Sequence, residues 1–273
     1  MDIEDPGFRI GPCEELLFVG SCFADSIGRR FQEEKFRVTV NPDGVMYNPA
    51  SILHTIERLV ERRVGCPAVA FLTLGTNHVY RLKETGEIVD NCEKRPQALF
   101  QEEELSVDVC ADYLRQAIEV LRKRRPDVRV VMTVSPIRYR KYGYHESQVS
   151  KATLLLAIEQ VIANQGISPS DGIAGHCAYF PAYEIVMDEL RDYRFYAADM
   201  LHPSAQAVEY IWERLVETYF SPEAKAFLDE WRPLKQTLGH KPFNPDSEEY
   251  RALMDKTMLK VAELRKKYST FAL

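Results

Sequence analysis

Leu16-Leu17-Phe18-Val19-Gly20-Ser21-Cys22-Phe23-Ala24-Asp25 is the stretch on which the reading of this chain turns. Four consecutive apolar residues with β-branched and aromatic members form a strand buried on both faces, as in a parallel sheet. The run stops at Gly20, and a helical pattern then holds from Asp25 to Lys35. A strand that gives way to a helix over so few residues presents its turn side chains at the carboxyl edge of a sheet. Many α/β hydrolases hold their attacking atom there. An ordinary βα turn with a helix-capping serine has the same local sequence, so the stretch alone assigns no reaction.

Working outward, Phe36–Val40 alternates as a second strand and ends in Asn41-Pro42-Asp43-Gly44, a strong turn signal. Pro49 and Ser51 open a helix that runs to Arg63, with Ile52, Ile56, Leu59 and Val60 on one face. Ala68–Leu74 is a third, continuously apolar strand that stops at Gly75-Thr76-Asn77. His78–Leu82 and Glu87–Asn91 flank Glu84-Thr85-Gly86 and predict a β-hairpin inserted outside the main sheet. A long helix from about Ser106 to Arg124 leads to a fourth strand, Val128–Val134, halted by Ser135-Pro136. Ile137–Glu146 reads as a loop over the sheet edge, and Ser147–Gln165 as the next helix. Cys177–Val186 is a fifth strand, placed at an edge or bent by Pro181. Ser204 caps a helix bearing Val208, Ile211, Trp212 and Leu215, and from Ser221 the chain reads as helix, break at Gly239–Pro245, and helix. Strands alternating with helices predict a parallel sheet covered on both faces. The expected organisation is one α/β domain over residues 1–220, with 221–273 a helical extension packed on it.

Composition narrows the classes. The 273 residues are 45% hydrophobic and 28% charged, which suits a globular α/β domain with an appendage. A net charge of −6 argues against nucleic acid or anionic membrane as a partner. The basic run Arg122-Lys123-Arg124-Arg125 closes a helix, where cations suit the dipole. The amino terminus is acidic without an apolar export segment, and no apolar run approaches the ~20 residues of a membrane span. A cytoplasmic protein is therefore expected. Cysteines at 13, 22, 66, 92, 110 and 177 have no paired spacing and are expected as free thiols. With no Cys-x-x-Cys or His-x-x-x-His, no metal and no cofactor are expected.

Acyl transfer needs a nucleophile, a base, a group that orients the base, and donors for an oxyanion. Ser21 or Cys22 supplies the first. Asp199 and His202, three residues apart before a helix, supply the next two, because that spacing puts both side chains on one face. Gly44 could offer a backbone N–H and Asn77 a side-chain amide to the oxyanion. The turns after the first four strands, at Gly20-Ser21-Cys22, Asp43-Gly44, Gly75-Thr76-Asn77 and Ser135–Arg138, all fall at one end of the expected sheet. Each of these signals alone has a bland structural explanation. Their order along the chain is what points to a site.

That order resembles the SGNH (GDSL-type) hydrolase superfamily, whose blocks supply Ser, Gly, Asn and His. Within it the chain is similar to the GSCFA-domain family, named for the motif present here as Gly20-Ser21-Cys22-Phe23-Ala24. The likeness extends through Asn41-Pro42-Asp43-Gly44-Val45-Met46-Tyr47-Asn48-Pro49, Leu74-Gly75-Thr76 with Val79-Tyr80, Ser135-Pro136-Ile137-Arg138, Ser150-Lys151-Ala152-Thr153 and Asp192-Tyr193-Arg194-Phe195-Tyr196. It implies a three-layer α/β/α, SGNH-hydrolase-like (flavodoxin-like) fold with a five-stranded parallel sheet. The superfamily's first block is Gly-Asp-Ser. In strict register Cys22 takes the nucleophile's place, whereas by residue type Ser21 does, and both stay open. Asn48, Tyr80, Arg138 and His145 are candidates for binding substrate. The activity implied is an esterase removing a small acyl group, such as acetyl, from an alcohol or carbohydrate ester. The alternatives are acyl transfer from a thioester donor such as acetyl-CoA, with Arg138 and Lys94 near its phosphates, or a ligand-binding relative without catalysis. The expected partner is a small-molecule or carbohydrate ester, and a homodimer is conceivable.

Overall fold

The computed structural model describes residues 1–63, 65–90, 92, 94–163 and 177–268. Five parallel strands form the central sheet, β1 (Glu15–Gly20), β2 (Arg37–Val40), β3 (Val69–Leu74), β7 (Arg129–Val134) and β8 (Cys177–Tyr179), in the order β2-β1-β3-β7-β8. This is the flavodoxin-type order, whose topological switch point lies between the carboxyl ends of β1 and β3. Between β3 and β7 the chain makes a small antiparallel sheet of β4 (His78–Leu82), β5 (Ile88–Val89) and β6 (Phe100–Glu104).

Side chains alternate across the main sheet into two cores. Phe18, Phe71 and Val131 face α1 (Cys22–Glu33) and α6 (Ala205–Tyr219), while Leu17, Leu72 and Met132 face α2 (Pro49–Glu61), α3 (Val107–Arg124) and α4 (Tyr144–Ala163). On the first face Phe18 and Phe71 stack with ring centroids 4.3 Å apart, and Phe31 packs edge-on to Trp212. The terminal helices α7 (Pro222–Gly239) and α8 (Glu248–Lys267) join that same core through Phe227, Trp231, Val261 and Leu264. Trp231 also donates its indole N–H to the Glu33 carbonyl. Serines at 21, 106, 204, 221 and 247 each cap the helix that follows, accepting a first-turn N–H.

Four expectations need correction. The hairpin acquires a third strand, β6, whose sequence Phe-Gln-Glu-Glu-Glu has one buried anchor, Phe100, opposite Leu82, and no apolar alternation to betray it. The fifth strand ends at Tyr179, because Pro181 can donate no ladder hydrogen bond. Ala182–Glu184 (α5) then leads into a π-helical turn, Ile185–Leu190. Helix α4 begins at Tyr144 instead of Ser147, so part of the expected loop is its first turn. Helix α1 begins at Cys22 because Ser21 caps it, so Cys22, Phe23 and Ala24 are already helical. Asn91 of the hairpin, Gln165 at the end of the α4 prediction, and His176 lie outside the described residues.

Candidate active site

The turn after β1 is built around Gly20, whose φ of 147° and contact with the Thr73 backbone leave no room for a Cβ. The Gly20 N–H donates to the Asn41 side-chain oxygen at 2.8 Å, and the Ser21 N–H to the Thr73 carbonyl at 3.1 Å. The opening turn is thus sewn to both neighbouring strands at the switch point. Ser21 is 1% exposed, and its hydroxyl accepts the Phe23 N–H at 3.3 Å. Cys22 is half-buried, with its sulfur 3.6 Å from the Tyr47 hydroxyl. Burial, and then the neighbouring thiol, push the Tyr47 phenol above its usual range, so it stays protonated. Ser21 takes the Phe23 and Ala24 N–H groups. The Cys22 N–H has no partner among the described residues, as expected at the first turn of a helix.

Asp199 and His202 meet as their spacing predicts. Asp199 Oδ2 lies 2.5 Å from His202 Nδ1, and Oδ1 accepts the N–H groups of Leu201 and His202 at 2.9 and 3.0 Å. The backbone donors and then the ring hold the Asp199 carboxyl down to about 2, so it is an anion at any working pH. A carboxylate at Nδ1 requires a proton on that nitrogen and leaves Nε2 as the basic atom. The dyad loop is closed by the Ala197 N–H on the His202 carbonyl at 2.7 Å. It is tied to the rim at the end of β7 by the Arg138 N–H on the Leu201 carbonyl at 3.1 Å.

Arg138 is not held for a substrate anion as expected. Its guanidinium donates to the Met200 carbonyl at 3.2 Å and lies over the rings of Tyr144, Tyr196 and Tyr193 at 4.4, 5.1 and 5.7 Å. Both its backbone and its side chain therefore brace the dyad loop. For catalysis through a dyad held in this way, Arg138→Met is expected to lower kcat about tenfold or more with KM little changed, and Arg138→Lys to restore part of the loss. Steady-state kinetics read this directly. A change in KM alone would return Arg138 to substrate binding.

Other expectations are corrected by hydrogen bonding. The Gly44 N–H donates to the Asn41 carbonyl at 2.8 Å within its own turn, so it is not offered to an oxyanion. The Asn77 amide is buried and donates to the Leu105 carbonyl at 2.8 Å. That bond turns one of its two amide hydrogens to the segment that leads into α3. His145 is exposed on the first turn of α4, away from the cleft described next. Asn48 caps α2, accepting the Ser51 N–H at 2.9 Å, and borders that cleft. Tyr80 forms part of its wall.

The cleft, about 730 Å³, opens between the small antiparallel sheet and the segment after β7. Tyr47, whose hydroxyl touches Cys22, is shared between cleft and turn. His78 and Tyr142, absent from the sequence-derived site, stack in its wall with centroids 4.0 Å apart. Lys151 was also missed. It is 2% exposed on α4 and donates to the Gly75 carbonyl at 2.7 Å, while the neighbouring Ser150 hydroxyl holds Thr76 and the Asn77 N–H. Polar Ser147, Ser150 and Lys151 on a helix face that continues as Leu154 and Ile158 are the signal that could have revealed it. Among the described residues no three His, Cys, Asp or Glu side chains converge as a metal site requires, and no helix is long and apolar enough to cross a membrane. None of the six cysteines is in a disulfide.

Fold and rim together define a doubly wound α/β protein with an aspartate–histidine pair at the ligand-binding edge of its sheet. The chain belongs to the GSCFA family, whose model matches residues 15–65 and 60–215; the model of the GSCFA domain protein C-terminal domain matches 231–273. No curated protein matches the chain. Among solved structures it is similar to an acetyl esterase variant with acetate ion, at 12% identity over 80% of this chain and 99% of that one, with a TM-score of 0.45. It is also similar to a carbohydrate esterase family 3 protein from Talaromyces cellulolyticus, at 11% identity over 80% and 99%, with a TM-score of 0.42.

Proposed function

We propose that this protein is an ester hydrolase working through an acyl-enzyme on Cys22, with His202 as general base and Asp199 orienting it. The observation that carries the reading is the contrast at the opening turn. Ser21 is buried and its hydroxyl accepts the Phe23 N–H as a helix cap, whereas Cys22 is half-buried with its sulfur against the Tyr47 hydroxyl. Tyr47 in turn packs against Tyr139, and Arg138, next to Tyr139 in the chain, donates to the Met200 carbonyl of the loop that holds His202.

In the first half-reaction the sulfur attacks the ester carbonyl carbon and His202 Nε2 takes the thiol proton. The carbonyl oxygen becomes an oxyanion facing the Cys22 N–H and the positive end of α1. Collapse breaks the carbon–oxygen bond, His202 returns the proton to the departing alcohol, and a thioester remains. Water then attacks with its proton passing to Nε2. The carboxylic acid leaves, and the proton goes back to sulfur. The imidazolium formed in each half-reaction sits against the Asp199 carboxylate.

Stopped-flow mixing with a short-chain p-nitrophenyl ester tests the reading. A burst of p-nitrophenol equal to the enzyme concentration, followed by slower turnover, is expected. His202→Ala should lose both phases by roughly 10²-fold or more. Turnover unchanged in His202→Ala would refute the mechanism.

A further inference from the structure

We infer that the cleft beside Tyr47 is the subsite for a saccharide carrying a carboxylate, held so that an ester on the sugar reaches Cys22. The inference rests on the esterase reading above and names the substrate class for the same rim. Tyr47 fixes the geometry: its ring lines the cleft and its hydroxyl is 3.6 Å from the Cys22 sulfur. A group bound in the cleft is thus one ring's breadth from the nucleophile.

The wall chemistry selects a sugar. Tyr142 lies among aromatic rings, stacked on His78, 5.4 Å from the Tyr139 ring, and hydroxyl to hydroxyl with Tyr80 at 3.0 Å, with the Lys141 amine over the Tyr142 and Tyr80 rings at 4.7 and 4.5 Å. Burial pushes the His78 imidazole down, so it is a neutral flat face. Aromatic faces rimmed by hydroxyls suit the C–H face and hydroxyl edge of a pyranose better than they suit an acyl chain, which makes no hydrogen bonds. Two carboxylates, Asp90 and Glu102, also line the cleft and can accept sugar hydroxyls. Both are already compensated: Asp90 by His54 and Arg58 at 2.8 and 2.7 Å, and Glu102 by Lys141 at 3.3 Å.

The charge at the mouth selects an acid. Lys94 and Arg95 line the cleft, are exposed, and have no carboxylate partner among the described residues. Arg95 rests over the Phe100 ring at 5.0 Å, which holds the guanidinium at the cleft's edge. Two cations that no described carboxylate neutralises match one ligand carboxylate. A single sugar carboxylate matches that pair, whereas the several negative charges of a nucleotide polyphosphate exceed it.

Isothermal titration of the intact protein with a glucuronate-containing disaccharide, its neutral glucose counterpart and coenzyme A reads this without any need for turnover. The acidic disaccharide should bind about tenfold or more tightly than the neutral one. The double variant Lys94→Gln, Arg95→Gln should erase that preference, and Tyr142→Ala should weaken both sugars. Equal affinity for the two disaccharides, binding of neither, or tighter binding of coenzyme A would overturn the proposal. Since binding is measured directly, a chain that binds the acid but hydrolyses nothing would fault the esterase reading and leave only the saccharide subsite standing.

Discussion

Cys22→Ala is expected to cut turnover of a short-chain p-nitrophenyl ester by on the order of 10⁴-fold, whereas Ser21→Ala should stay within a few-fold of the parent. The asymmetry follows from where the two side chains point. Ser21, itself 1% exposed, accepts the Phe23 N–H, so its loss should appear as stability, about 1 kcal/mol for a helix cap. Thermal denaturation of Ser21→Ala should show that loss while rates persist. Cys22 carries its sulfur 3.6 Å from the Tyr47 hydroxyl, at the edge of the cleft. His202→Ala combined with Cys22→Ala should be no worse than Cys22→Ala alone, because members of one proton-transfer unit are not additive. A reversed order, with Ser21→Ala inactive and Cys22→Ala active, would move the nucleophile by one residue.

The second large effect concerns Lys151. Its amine is fully enclosed and donates to the Gly75 carbonyl at 2.7 Å, and burial pulls its pKa down to about 7. The unfolded chain keeps the proton up to the ordinary lysine value of 10.5. Between those limits the unfolded state binds more protons than the folded one, so Lys151 makes stability rise with pH. Lys151→Met removes that dependence. The stability of the parent relative to the variant should therefore grow by about 3 kcal/mol between pH 7 and pH 9.5, at 1.36 kcal/mol per unit. Urea denaturation at the two pH values measures it, and a difference that does not change with pH would mean the amine is charged in the folded state. Activity of Lys151→Met should fall as well, since Gly75 and Thr76 then lose the anchor that sets the end of β3 against the Tyr47 carbonyl.

What could be read from the sequence was what is decided locally. Phe18 and Val19, Leu72 and Leu74, and Val130–Val134 are buried on both faces, so their apolar runs marked the parallel sheet directly. Asp199 and His202 are joined by a three-residue spacing, which fixes the pair wherever the loop lies. Pro181 was correctly seen as incompatible with a central strand, and β8 is indeed at the edge. The oxyanion donors failed because a residue type does not tell what else its hydrogen atoms bind. Gly44 gives its N–H to Asn41, three residues back, and Asn77 gives one amide hydrogen to Leu105, 28 residues ahead. Arg138 failed similarly, since its aromatic enclosure is assembled from Tyr144, Tyr193 and Tyr196. The cleft was invisible because its central pair, His78 and Tyr142, comes from a strand of the inserted sheet and a short 3₁₀ turn after β7.

The most direct test of the account is to quench the protein during turnover of an acetyl ester and map the acetyl group by fragment-ion mass spectrometry. The account predicts an acetyl thioester on Cys22, labile to hydroxylamine and absent from His202→Ala. Acetyl on the Ser21 oxygen, or no acyl-enzyme at all while product accumulates, would contradict it.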